Sequence, residues 1–134
     1  MKTIAKSGTA IVLAHLAVTI LHGMAHVDLH IGLSALQKLF VLIVINVCPL
    51  IAMALLWTRR QRTGVVLLAV SMGASLLFGV WNHFVIVGPD HVAEVAAGTT
   101  GRLFQITAVL LAVIEGAGCW LGFSWLRRVP RPSL

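Results

Sequence analysis

The chain has 134 residues, of which 59% are hydrophobic and 10% charged; its mean hydropathy is +0.99 and its formal net charge +6. A soluble domain carries about a quarter charged residues and a disordered chain is poor in apolar ones, so both classes are excluded and an integral membrane protein remains. The ten Lys and Arg gather at the ends of apolar runs, which is how a membrane topology uses charge, not how a nucleic-acid binder does.

Spanning a hydrocarbon core about 30 Å thick takes about 20 apolar residues. Four runs meet that length, at about residues 8–27, 39–57, 64–87 and 103–126. They predict a single all-α domain over residues 1–134, an integral membrane four-helix bundle. Its short loops make consecutive helices antiparallel. The first run follows a basic start, as a signal peptide does. It is nevertheless long, carries His15 and His22, and lacks a small-x-small cleavage site, so it reads as a retained span.

The first span holds the most unusual pattern. His15, His22, His26 and His30 fall within an arc of roughly 80°, which builds one polar stripe along one helix. Ionisable groups in a bilayer turn to the bundle interior or to a water-filled cavity. His22 and His26, at i and i+4, can grip one ion from a single helix. The residues between them are Gly23, Met24 and Ala25, so the glutamate of a zincin protease is absent.

The second span offers Asn46 beside Pro49, whose ring should free the carbonyl of Ile45 and bend the helix. In the third, Ser71, Ser75, Gly79, Asn82 and His83 share an arc of about 120°, followed by the turn Gly88-Pro89-Asp90-His91. In the fourth, Glu115 shares a face with Ala108, Gly118, Cys119 and Gly122, and Gly118-x-x-x-Gly122 is a close-packing pattern. Cys48 and Cys119 form no CxxC and imply no disulfide framework. Trp57, Trp81, Trp120 and Trp125 lie near span ends and read mostly as interfacial belt residues. The tail carrying Arg127, Arg128, Pro130, Arg131 and Pro132 reads as an unstructured end.

Loop charge orients these spans. Lys2 and Lys6 precede the first, Arg59, Arg60 and Arg62 fill the second connection, and Arg127, Arg128 and Arg131 follow the last. The other two connections hold only Lys38 and Arg102, beside Asp28, Asp90 and Glu94. The positive-inside rule then puts both termini in the cytoplasm, in a multi-pass protein of a bacterial inner (plasma) membrane.

A rise of about 1.5 Å per residue sorts the polar groups by depth. An outer cluster holds His22, His26, His30, Asn82, His83, Asp90 and His91. An inner one holds His15 and Glu115, with Ser71 and Cys119 nearby. Imidazole with carboxylate suits a transition metal, whether Zn, Cu or Fe. His22, His26 and His83 are the foremost candidate ligands, with His30, Asp90 and His91 behind them. His15 and Glu115 form a candidate inner relay for the ion or for protons, so metal binding or translocation is favoured over catalysis.

Two other classes compete. A haem b electron-transfer protein would use His26 and His83 as axial ligands, or less readily His15 with Met72. A small accessory subunit would turn its polar faces to a larger membrane complex or to further copies of itself. Besides lipid and a metal ion, these are the partners the sequence suggests; nucleic acid is not among them.

Overall fold

A computed structural model describes residues 2–129; of the expected unstructured end, Pro130, Arg131 and Pro132 lie outside the described residues, whereas residues 127–129 form a turn in which the Arg128 and Val129 N–H groups donate to Trp125 O. All regular structure among the described residues is helical. The order is α1 (Lys2–Asp28), α2 (Ala35–Phe40), a π-helical segment Val41–Val47, α3 (Cys48–Leu56), α4 (Gln61–Val80), a second π-helical segment Trp81–Val85, and α5 (Thr99–Leu126). The segments Ala35–Leu56 and Gln61–Val85 each run on as one helix, so four helices are long and apolar enough to cross a membrane.

Local chemistry sets the element ends. His30 closes α1: it sits at φ 55, its N–H donates to Val27 O and the Ile31 N–H to His26 O. This left-handed stop is usually taken by Gly or Asn. Ser34 opens α2 with a reciprocal capping box, its Oγ accepting from the Gln37 N–H while Gln37 Oε1 accepts from the Ser34 N–H.

Pro49 acts differently from the simple bend expected at Ile45. It lies at the start of α3, and the turns before it widen to π geometry, with the Cys48 N–H donating to Ile43 O. Asn46 Nδ2 donates to Val41 O at 2.7 Å, so its amide is used within the widened turn. The disturbance from a missing N–H is spread over seven residues instead of concentrated in one kink.

The helices pack in a cycle, α1 on α5, α5 on α4, α4 on α3, and α3 on α1. Gly8 lies against Leu56 and Trp125, whereas His22, further along the same helix, reaches Thr107. Gly122 brings α5 onto α4, since a Cβ there would lie 2.7 Å from Ala69 Cβ and 3.0 Å from Ala69 Cα. Arg62 Nη1 donates to Leu126 O and Val129 O at 3.2 and 2.9 Å, so a basic residue in the first turn of α4 also satisfies the end of α5. Trp125 departs from the belt reading. It is buried in the core beside Leu56, Leu68 and Met72, while Trp57, Trp81 and Trp120 are exposed.

Candidate metal centre

Three elements supply the site. The stripe on α1 delivers His22 and His26, the second π-helical segment delivers His83, and the following turn delivers Asp90. A π turn holds an extra residue per repeat and re-aims its side chains. Here the Ile86 N–H donates to Trp81 O and the Val92 N–H returns to His83 O, folding the Gly88–Asp90 turn back over the helix end. Asn82, expected in the outer cluster, instead accepts from Gln37 Nε2 and donates to Phe78 O, tying the second span to the third.

His22, His26 and His83 each offer a ligand nitrogen, and these atoms lie within 4.8 Å of one another. His22 Nε2 and His83 Nε2 face each other at 3.3 Å. Their hydrogen-bond partners fix the tautomers. Thr107 Oγ1 lies 2.7 and 3.0 Å from Leu103 O and Phe104 O, so its hydrogen stays on its own helix and its oxygen accepts from His22 Nδ1–H at 2.8 Å. His83 Nδ1 lies 3.0 Å from the carbonyl oxygen of Asp90, which can only accept. In the neutral forms both Nε2 atoms therefore carry lone pairs directed at each other. Two lone pairs at that distance repel unless a cation or a proton lies between them.

The Asp90 carboxylate completes this cluster. Its Oδ1 lies 3.2 Å from His26 Nε2 and 3.1 Å from His83 Nδ1. Neither approach has hydrogen-bond geometry, and His26 Nδ1 and Asp90 Oδ1 are both buried atoms without a hydrogen-bond partner. The Phe104 ring packs on all three imidazoles, with centroids 4.7, 5.2 and 5.4 Å away. Burial against an aromatic wall raises the cost of leaving such polar atoms unmatched.

His30 and His91 are not brought to this cluster. His30 is exposed, with Nδ1 donating to Asp28 O at 3.1 Å. His91 Nδ1 accepts from the Ala93 N–H at 3.2 Å and so shapes its own turn. The inner pair does meet: His15 Nε2 and Glu115 Oε1 are 3.0 Å apart, both nearly inaccessible. Ser71 and Ser75 are buried nearby but donate to Leu68 O and Ser71 O of their own helix. Cys119 and Cys48 are free thiols, the former beside Gly73.

Thr107 and Phe104 carry no metal-ligand signature in the sequence and are found only in three dimensions. The usable sequence signal is their position one helical turn apart, three residues, on the face of α5 opposite His22. A comparison of the chain with protein-family models, with curated proteins and with solved structures returns no match.

Proposed function

We propose that this chain is a multi-pass metal-binding protein of a bacterial inner membrane, an antiparallel four-helix bundle with both termini cytoplasmic. One transition-metal ion is held at its outer end by His22, His26 and His83. The observation that carries this reading is the 3.3 Å approach of His22 Nε2 and His83 Nε2 while both Nδ1 atoms are committed to oxygen acceptors. Two nitrogens bound to one tetrahedral zinc at about 2.0–2.1 Å lie about 3.3 Å apart, so the separation suits a shared ion. Metal-bound histidines commonly donate their other N–H to an oxygen, which is what Thr107 and Asp90 receive.

A three-histidine set is open to Zn, Cu and Fe alike. The ring packing supports a bare ion over haem b. His26 and His83 have centroids 5.9 Å apart with His22 and Phe104 wedged against both, which leaves no slot for a porphyrin between them. His15 and Glu115 serve this site as an inner relay, carrying the ion or a counter-moving proton toward the cytoplasm. Paired intramembrane acid and imidazole commonly take that role.

Elemental analysis of protein purified without chelator or affinity-tag metal tests the reading. We expect close to one equivalent of a single transition metal, dropping below about a tenth of an equivalent in His22→Ala and His83→Ala. A comparable metal content in parent and variants, or none in the parent, would overturn it.

A further inference from the structure

A cavity of about 360 Å³ lies between α1, the second span, α4 and α5, with the histidine cluster at one end and Glu115 deeper in its wall. That volume is in the range of small-molecule sites, which are typically about 300–1,000 Å³. Most of its wall is apolar, including Val41, Ile45, Phe78, Leu111 and Ala112.

The route in is lateral. Trp57 Nε1 donates to Thr9 Oγ1 near the start of α1, and α1 packs on α3 there. Towards its other end α1 diverges from α2 and the first π-helical segment, and Val27, Leu33, Lys38 and Val41 line the gap. Val27 is 75% exposed, so this gap opens at the protein surface.

The polar groups on the wall select the occupant's chemistry. Glu115 Oε1 is taken by His15, while Oε2 lies 3.8 Å from where a Cβ on Gly79 would stand. The missing side chain at Gly79 keeps that oxygen in reach of the cavity, near His83. Asp90 Oδ1 is a second carboxylate oxygen on the wall without a hydrogen-bond partner. Carboxylate oxygens accept, so a matching occupant must donate. The largely apolar wall favours a neutral donor over a charged one, and a hydroxyl is such a donor. Phe78, stacked on Phe40, and the imidazoles add aromatic rings to an otherwise aliphatic wall, against which a ring packs well.

We propose that this cavity binds a membrane-dissolved molecule with a hydroxyl-bearing ring, of the quinol or phenol class, its hydroxyl donating to Glu115. This site shares Glu115 with the relay but does not require the metal ion. The test is anaerobic equilibrium binding of decyl-hydroquinone to the full chain in phosphatidylcholine nanodiscs, beside its dimethyl ether, with metal content read on the same samples.

The parent should bind one equivalent, and the ether about tenfold more weakly, since it has lost the hydroxyl that donates to Glu115. Ala112→Phe fills the cavity, and so does Gly23→Leu, at a cavity-lining position with nothing within 4 Å of an added Cβ. Each should weaken hydroquinone binding more than about tenfold with metal content unchanged. No binding by the parent, equal binding of ether and hydroquinone, or full binding in a folded Gly23→Leu protein overturns the inference. Metal without hydroquinone binding would sink this site and leave the metal reading standing; hydroquinone binding to metal-free protein would do the reverse.

Discussion

Thr107 accepts a hydrogen bond from His22 at 2.8 Å across 85 residues of chain, and this bond sets which imidazole nitrogen faces the cluster. Removing it should change metal affinity without touching a ligand. Thr107→Val keeps the shape but loses the acceptor, freeing His22 to turn or to change tautomer. Partners of this kind are worth about 10–100-fold in affinity. We expect a loss of that size in competition with a metal-sensitive dye, and near-parent affinity in Thr107→Ser. Equal affinity in parent and Thr107→Val would show that the bond does not orient a ligand.

The contact of Gly122 with Ala69 makes a prediction about stability alone. A methyl at Gly122 would lie 2.7 Å from Ala69 Cβ, whereas one at Gly116 meets only Leu76 Cδ2, at 3.9 Å. Gly122→Ala should destabilise by about 1–3 kcal/mol, the usual cost of overpacking, less the 0.5–1 kcal/mol or so by which alanine favours a helix. Gly116→Ala should be neutral or slightly stabilising. Thermal unfolding of the two variants in detergent provides the comparison, and equal midpoints would contradict the close approach of α4 and α5.

Much of this was legible in the sequence because bilayer physics is simple. Span length, the histidine arc on α1 and the matching depths of His15 and Glu115 follow from helical rise and periodicity. What periodicity could not give was the position of anything beyond a helix end. His30 continues the arc on paper, yet it is the residue that stops the helix, so its side chain leaves the stripe. His83 and Asp90 meet because a π turn and a folded-back loop re-aim them, and a constant 100° per residue cannot represent either. Thr107 was missed because a tautomer-setting hydroxyl looks like any helix threonine until its partner is seen.

Orientation rests on charge and is tested separately from the site. Arg59, Arg60 and Arg62 share one connection, and Arg127 and Arg128 follow the last span. The positive-inside rule predicts that a fluorescent protein fused after Leu134 is bright and an alkaline phosphatase fused there inactive. The same phosphatase inserted beside Glu94 should be active. The opposite pattern would invert the bundle and place the histidine cluster at the cytoplasmic end.

The buried pair of His15 and Glu115 bears on what the site does with an ion. The two groups share a 3.0 Å contact and are almost wholly shielded, and Glu115 also faces the cavity that reaches the histidine cluster. A relay needs a group that takes a proton from one side and releases it to the other, and a carboxylate bonded to an imidazole can do so through that contact. Glu115→Gln keeps the size and one hydrogen-bonding oxygen but cannot ionise. In sealed vesicles carrying a metal-sensitive dye and a pH probe, it should slow coupled flux by roughly a hundredfold, the size of a typical general acid–base contribution. Metal stoichiometry should stay at the parent value, because Glu115 lies outside the three-histidine set. His15→Gln should slow flux comparably, since both residues belong to one exchange. Unchanged flux in both variants would return the pair to helix packing, and a parent protein that binds metal without moving it would restrict the function to binding.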